Sequence, residues 1–330
     1  MIPLFHKDFP VPTGLGFILL LSAAAAQAQV MVDGARATAR QAAPVAMQPA
    51  GGPGEAVSGP DELAPAMEGD EEYGTQKILY RRSNWEPFSF RLDTGGYYTS
   101  NVALVDRGEK DDFFWQTGAT LSYTPQLQGG FFGRTLISNQ IFRYDEAEVF
   151  DFDLLNAQAG FLYAFPRAGT AYDPVLGDLL LFADYGYYRI SQPWEWGDDD
   201  FDNHGLSIGA QKTWRFSRGH SLAFGMAANW SVDASRPEPQ RDEYAATLAY
   251  RVKWTADFES VLGYRAALYD YTETGRSDFN QIISLGLEYR FTDWLRAGGS
   301  ISGTFNDSDR NLLDYKVLNT GASVFLALSW

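Results

Sequence analysis

The last ten residues, Gly321-Ala-Ser-Val-Phe-Leu-Ala-Leu-Ser-Trp330, alternate between two faces of an extended chain. One face carries Val324, Leu326, Leu328 and Trp330, and the other carries Ser323, Phe325, Ala327 and Ser329. Alternation with a period of two residues predicts a β-strand. This strand runs to the last residue of the sequence, which is aromatic.

The same alternation recurs upstream, in segments separated by turns or loops. Phe113, Trp115, Leu121 and Tyr123 share one face of such a segment, with Gln116, Thr120 and Ser122 on the other. We expect about twelve strands, centred near residues 92, 118, 139, 158, 184, 209, 226, 248, 264, 285, 300 and 322. Arg143 and Asp184 disturb the alternation in two of them, so counts of ten and fourteen stay open.

These features predict an all-β chain: a transmembrane, antiparallel, up-and-down β-barrel. Apolar faces of this length fit lipid-facing strands of about 9 to 11 residues. The connections alternate between longer acidic loops and short turns such as Thr292-Asp293, as in barrels with long extracellular loops and short periplasmic turns. A soluble β-sandwich also alternates, but its outward faces would carry more charge.

The first part of the chain differs in composition. Lys7, an apolar run over 14–26 and the Ala26-Gln27-Ala28 site predict a signal peptide over 1–28. Residues 29–84 are rich in Pro, Ala and Gly with an acidic cluster, which predicts a disordered periplasmic linker. The barrel then spans 85–330. The expected location is the bacterial outer membrane, with both termini in the periplasm.

Charge and cysteine content exclude several functions. The formal net charge of −16 would repel nucleic acid, so we expect no nucleic-acid partner. The cysteine count of 0 excludes disulfides, thiolate metal sites and cysteine nucleophiles. We expect no catalytic residue, metal or cofactor. His204 near Ser207 invites comparison with a hydrolase, but the two should face opposite sides of their strand.

Two groups of residues are candidates for function. The predicted lumen face carries more basic than acidic side chains: Arg91, Asp93, Arg215, Arg251, Lys253, Arg265, Glu288, Arg290 and Arg296. We interpret this face either as an anion-favouring lumen or as an internal salt-bridge network. Aromatic belts are predicted at the periplasmic interface (Trp214, Phe216, Trp254, Phe291 and Trp330) and at the outer one (Trp115, Tyr144, Trp230, Tyr244 and Phe305).

Three short motifs suggest a family. Gly95-Gly-Tyr-Tyr-Thr-Ser-Asn-Val102, Asp111-Asp-Phe-Phe-Trp115 and Gly118-Ala-Thr-Leu-Ser-Tyr123 resemble the β-barrel porin 2 type of bacterial outer-membrane protein, loosely over 88–330. The final strand also resembles the C-terminal signal by which such barrels are recognised for assembly. This resemblance implies the barrel fold and outer-membrane compartment, and supplies no catalytic residue.

The sequence therefore predicts an outer-membrane channel, either a porin or an export conduit, for hydrophilic solutes, including anions or saccharides. The alternative is a structural barrel that anchors a periplasmic segment and displays acidic loops, without an open pore. Expected partners are the lipid bilayer, lipopolysaccharide and the barrel-assembly machinery, together with a periplasmic partner of the linker.

Overall fold

A computed structural model describes residues 32, 35–39, 86–165, 178–193, 200–217 and 219–330. The predicted signal peptide over 1–28 lies outside the described residues. So does the predicted linker over 29–84, apart from residues 32 and 35–39. Among the described residues, no helix is long and apolar enough to cross a bilayer.

Most of the described chain is antiparallel strand. The strands are β1 (Phe88–Thr99), β2 (Asp112–Tyr123), β3 (Gln126–Gln128), β4 (Phe131–Tyr144), β5 (Phe152–Ala164), β6 (Leu179–Ser191), β7 (Phe201–Ser217), β8 (His220–Ala234), β9 (Asp242–Lys253), β10 (Phe258–Tyr271), β11 (Arg276–Arg290), β12 (Leu295–Ser308) and β13 (Tyr315–Ser329). Two short 3₁₀ turns, Glu148–Phe150 and Asn311–Leu313, lie in loops.

The sheet closes on itself. Each strand from β4 to β13 pairs with the next, β13 pairs with β1, and β1 pairs with β2. A further β2–β4 pairing passes over the three-residue β3 and closes the ring, so twelve of the thirteen strands form the barrel. The predicted count of twelve is confirmed, and every predicted strand centre falls inside an observed strand. A closed barrel leaves no unpaired edge.

The outward face of the barrel is apolar, and the inward face is mostly polar or small, apart from a cluster of buried aromatic residues near one end. In β11, Ile283 and Leu285 are 50% and 40% exposed, whereas Asn280 and Ser284 are each 2% exposed. A soluble protein buries its aliphatic residues and exposes its polar ones, and this barrel does the opposite. The arrangement matches a barrel whose outer surface contacts lipid, and it excludes the β-sandwich.

The connections distinguish the two ends of the barrel. The terminus end holds Phe88 and Trp330, whose backbones exchange two 3.1 Å hydrogen bonds. It also holds the short turns at Gly219, 254–257 and 291–294. The opposite end, here called the loop end, holds the connections 100–111, 145–151, 235–241, 272–275 and 309–314.

Threonine side chains shape two of the short turns. Thr255 Oγ1 accepts hydrogen bonds from the backbone N–H groups of Asp257 (3.2 Å) and Phe258 (3.0 Å). Thr292 Oγ1 accepts equivalent bonds from Trp294 (3.3 Å) and Leu295 (2.9 Å). A hydroxyl that caps nearby N–H groups reverses the chain in few residues. The two turns therefore connect their strands at the terminus end without a long loop.

Candidate functional site: the barrel lumen

Basic and acidic side chains near the terminus end form a network across β9 to β12. We call Arg251, Lys253, Glu259, Glu288, Arg290 and Arg296 the charge ladder. In register, Glu259 lies opposite both Lys253 and Glu288, and Arg290 lies opposite Arg296. Two like-charged pairs directly opposite each other would be unfavourable alone.

Neighbouring opposite charges relieve that repulsion. Arg251 Nη1 lies 3.5 Å from Glu259 Oε1, and Arg296 Nη1 lies 2.9 Å from Glu288 Oε1. Arg290 reaches outside the ladder, to Asp257 in the adjoining turn, with Nη2 3.1 Å from Oδ1. The ladder thus combines salt bridges with a remaining excess of basic groups.

The other predicted lumen residues are also paired. Arg91 Nε lies 3.5 Å from Asp93 Oδ1, and its guanidinium lies 4.0 Å from the centre of the Phe325 ring. Arg215 Nε lies 3.9 Å from Asp178 Oδ2. Each predicted basic residue except Lys253 therefore has a carboxylate within salt-bridge distance among the described residues, counting Arg265 below. Whether these residues line a conducting path stays a prediction.

The most buried of these pairs lies in the half of the lumen nearer the loop end. Arg265 Nη2 donates to Glu243 Oε1 at 2.5 Å, and its Nη1 donates to the Tyr269 hydroxyl at 3.1 Å. The Arg265 and Glu243 side chains are 9% and 11% exposed. Arg276 and Asp278 form a second buried pair on β11. The β9–β11 wall is thus polar, and these buried arginines are each paired with a carboxylate.

Sequence reasoning missed a third buried pair, on the opposite wall. Arg134 Nη1 lies 2.9 Å from Asp184 Oδ2, with the Asp184 side chain 5% exposed. Asp184 had been noted only as a break in the alternation. It lies on the inward face of β6, opposite Gly160 of β5. The glycine leaves the space that the carboxylate occupies, because a Cβ at position 160 would lie 2.4 Å from Asp184 Oδ1.

Arg143 is the other residue that disturbs the alternation, and it lies at the loop end of the barrel. Its Nη2 is 2.7 Å from Asp153 Oδ1, and its Nε is 4.0 Å from Asp151 Oδ2. Asp151 lies in the loop before β5. Partial burial raises the pKa of the Asp151 carboxyl, and the Tyr144 backbone N–H and Arg143 act in the opposite direction. An arginine on the outward face is thus paired with one carboxylate of the β5 strand and one of the loop before it.

The middle of the lumen has accessible space. The inward side chains Thr120, Gln158, Thr247 and Ser300 come from four different strands, and each retains intermediate exposure. A packed core would bury them, as it buries the aromatic residues nearer the loop end. The wall at this height is therefore lined by hydroxyl and amide groups that can exchange hydrogen bonds with water or a polar solute.

Near the loop end, β1, β2 and β4 to β7 carry an inward-facing aromatic cluster. Phe142 and Phe152 stack with ring centres 4.3 Å apart, and Tyr97 and Phe114 stack at 5.3 Å. The cluster, here called the aromatic wall, consists of Tyr97, Phe114, Phe142, Tyr144, Phe152 and Phe201, joined by Val102 and Ile190. Because each member is buried, the aromatic wall must be covered by another part of the protein.

The group that packs there is a short helix of the N-terminal segment. Residues 35–39 are helical, as is Val32, and we call these residues the lumen helix. Val32 and Ala35 are each 5% exposed and belong to the same cluster as the aromatic wall. Sequence analysis placed these residues in a disordered linker, so the helix was not foreseen.

Two polar side chains of the lumen helix bind the barrel. Arg36 donates from Nη1 to the backbone oxygen of Pro239 at 2.7 Å, and from Nη2 to the Tyr188 hydroxyl. Its guanidinium also lies 5.0 Å from the centre of the Phe201 ring. Thr38 Oγ1 and the Tyr144 hydroxyl are 3.0 Å apart. Arg36 therefore connects the β6–β7 side of the lumen to the β8–β9 loop.

The outer aromatic belt requires one correction. Trp115, Tyr244 and Phe305 are exposed on the outward face, and Trp230 is partly exposed. The prediction for Tyr144 is wrong, because its ring faces the lumen, 7% exposed, and contacts Phe114 and Thr38. Inward-facing residues at this height are themselves aromatic, so residue type alone could not distinguish the two faces.

Four of the five residues of the predicted terminus-end belt are exposed, and Trp214 is half-buried. The exposed residues are Phe216, Trp254, Phe291 and Trp330. Phe88 links Trp330 to the first strands, because it stacks on Trp330 at 5.8 Å and on Tyr123 at 4.4 Å. The aromatic ring stack thus covers the junction between the first and last strands.

His204 and Ser207 do not form a shared site, and the nearby Asp200 and Asp202 have other partners. His204 Nδ1 lies 2.6 Å from the Tyr185 hydroxyl on the outward face. Ser207 instead donates to Asn229 Oδ1 at 2.5 Å on the inward face. Asp202 accepts from the Tyr187 hydroxyl at 2.8 Å, and Asp200 pairs with Arg189. No cluster of three or more possible metal ligands occurs among the described residues.

Comparison with known proteins addresses the fold. No protein-family model matches the sequence, and no curated protein does either. The crystal structure of an outer-membrane channel from Pseudomonas putida F1 matches with a TM-score of 0.51 at 11% identity, covering 74% of this chain and 98% of that one. An anion-selective porin from Comamonas acidovorans also matches, with a TM-score of 0.33 at 11% identity, covering 74% and 98%.

A third match is the outer-membrane channel DcaP of Acinetobacter baumannii, with a TM-score of 0.38 at 9% identity, covering 73% of this chain and 96% of that one. At these identities the likeness concerns the fold, and the argument for the fold rests on the first match. The chain is a closed twelve-strand β-barrel of the bacterial outer-membrane type, the architecture of outer-membrane channels.

Proposed function

We propose that this protein is a passive outer-membrane channel for small hydrophilic solutes. The observation that carries the proposal is the accessible middle of the lumen, lined by residues such as Thr120, Gln158, Thr247 and Ser300. A barrel that served only as an anchor would have no need of solvent-accessible hydroxyl and amide groups at its centre. Selection in such a channel depends on lumen width and wall charge.

The proposed orientation places the terminus end in the periplasm and the loop end outside the cell. Short turns at the terminus end and longer loops at the loop end fit the usual asymmetry of outer-membrane barrels. The proposed partners follow from that orientation. They are lipid and lipopolysaccharide at the outward face, and the barrel-assembly machinery at the β13 strand.

We propose a modest preference for anions. The charge ladder holds four basic side chains against Glu259 and Glu288, and Asp257 and the fully exposed Asp293 of the adjoining turns also lie near Arg290. Within the ladder itself basic groups exceed carboxylates, and the turn carboxylates reduce that excess to a small one. Charge at a narrow part of a pore changes the local concentration of ions of opposite sign, so the preference should be weak and dependent on salt.

The alternative is a barrel without an open pore that anchors the N-terminal segment. The lumen helix favours it, since Val32, Ala35 and Arg36 are buried against the aromatic wall and the β8–β9 loop. Uptake of solute separates the two functions. An anchor permits none, whereas a channel permits uptake that falls with solute size.

Swelling of proteoliposomes tests the proposal. Liposomes containing the purified protein should swell in isotonic solutions of a neutral monosaccharide faster than protein-free liposomes, and more slowly in a trisaccharide. Liposomes containing heat-denatured protein control for leakage caused by the lipid preparation. Swelling rates equal to those of the control for every solute would reject a diffusion channel and favour the anchor.

A further inference from the structure

The lumen helix has the size of a plug. Twelve strands about 4.8 Å apart and tilted by about 40° give a backbone-to-backbone diameter of about 24 Å. A helix with its side chains is about 10–12 Å across. Since wall side chains project inward from both sides, a helix here fills most of the passage near the loop end. The accessible middle of the lumen then ends at this helix.

The contacts of the helix are those of a docked segment. Ala35 and Val32 supply small apolar surface to the aromatic wall, while Arg36 and Thr38 reach hydroxyl and carbonyl groups. A segment of a few residues is not stable as an isolated helix, because helix nucleation is unfavourable. Its helical form therefore depends on docking, and loss of the Arg36 contacts should release it.

We propose that the lumen helix is a gate, which closes the loop end of the channel when docked and must leave the aromatic wall before solute passes. Arg36 is the latch of this gate, because it joins Tyr188 on one side of the lumen to Pro239 on another. This inference rests on the proposed channel function. The gate opens by undocking of the lumen helix, without rearrangement of the barrel strands.

The test combines channel recording with thiol labelling. Arg36→Ala removes both hydrogen bonds of a charged donor to the barrel, which corresponds to about tenfold or more in the docking equilibrium. We therefore expect the purified Arg36→Ala protein to spend about tenfold more time open in a planar bilayer than the wild type. Arg107→Ala is the matched control, since the Arg107 side chain is 95% exposed in a loop. It should behave like the wild type.

The cysteine count of 0 allows single-cysteine labelling without a background. Ala35→Cys places a thiol at the buried face of the helix, and Arg107→Cys places one on the surface. A water-soluble maleimide should label Cys at position 35 much more slowly than at position 107. Adding Arg36→Ala to Ala35→Cys should raise the labelling rate about tenfold.

The outcomes separate the gate from the channel. Equal open times in wild type and Arg36→Ala, or equal labelling rates at positions 35 and 107, would overturn the gate and leave the channel in place. Rapid labelling of position 35 in the Arg36→Ala background without any conductance would overturn both. In that case the helix has left the aromatic wall, and nothing passes.

Discussion

At the residue scale, stability depends on which partner each lumen side chain meets. Alternation in the sequence shows on which face of the barrel a residue lies, but it does not show which residue is its partner. Arg36 and Pro239 are 203 positions apart in the sequence. Glu243 and Arg265 meet only because β9 and β10 pair in one particular register. Period-two patterns assign a residue to a face, whereas a salt bridge requires the register of two strands.

The Arg265–Glu243 pair predicts how much stability is lost when a buried salt bridge is broken. Glu243→Gln leaves the Arg265 guanidinium without its carboxylate in a site where both side chains are about nine-tenths buried. Breaking a buried pair costs about 3–5 kcal/mol, so the midpoint of urea unfolding should fall markedly. Asp257→Asn at the exposed Arg290 pair is the control and should cost about 0–1 kcal/mol. Equal effects of the two substitutions would contradict this account.

Gly160 lies where the backbones of β5 and β6 leave no space for a side chain, and this provides a second prediction. A Cβ at this position would lie 2.1 Å from the Ala183 backbone oxygen, which cannot move freely in a paired strand. Gly160→Ala should therefore destabilise the barrel by about 1–3 kcal/mol. Gly186 lies across the same strand pair, and its Cβ would meet only Gln158 Cγ at 3.8 Å. Gly186→Ala should thus be nearly neutral in the same unfolding measurement, and similar losses would refute the steric argument.

At the element scale, the strands could be predicted well and the lumen helix could not. Each of the twelve amphipathic strands can be recognised in the sequence by alternation over about ten residues. The helix has the run Ala35-Arg-Ala-Thr-Ala39, which has good helix formers but is too short to be helical by propensity alone. Its structure comes from contacts with strands that begin more than fifty positions later, so no local pattern could reveal it.

The seam between the first and last strands supplies a prediction at this scale. Trp330 stacks on Phe88 with planes 10° apart, beside the two backbone hydrogen bonds that join the chain ends. Removing an aromatic partner costs about 0.5–1.5 kcal/mol beyond the buried area. Trp330→Ala should therefore reduce the folded fraction seen as a mobility shift of unheated protein on electrophoresis. Trp294→Ala, in the β11–β12 turn, should leave that fraction unchanged. A normal folded fraction for Trp330→Ala would contradict a role in closing the barrel.

At the scale of the whole molecule, the sequence predicted the architecture and overstated the charge of the lumen. A strongly acidic chain does carry a basic group of residues on its inward face, but carboxylates accompany most of them. The structure therefore contains the salt-bridge network of one sequence interpretation, whereas the anion-favouring lumen of the other stays a prediction. The consequence is a channel that should select weakly by charge and mainly by size.

The charge ladder predicts how selectivity should change. Replacing Arg251 and Lys253 together by Gln removes two basic groups and leaves Arg290 and Arg296 against three carboxylates, Glu259, Glu288 and Asp257 of the adjoining turn. The reversal potential in a salt gradient should then shift toward cations. A double Gln replacement of the exposed loop residues Arg107 and Lys110 removes the same net charge and should leave selectivity unchanged. Equal shifts would show that the loops, not the ladder, set the preference.

Planar-bilayer recording of the purified chain tests the central claim most directly. The account predicts discrete conductance steps, brief in the wild type and prolonged in Arg36→Ala, with a reversal potential that favours anions modestly at low salt and less at high salt. A bilayer that stays silent with both proteins, after electrophoresis has shown that both are folded, would contradict the channel.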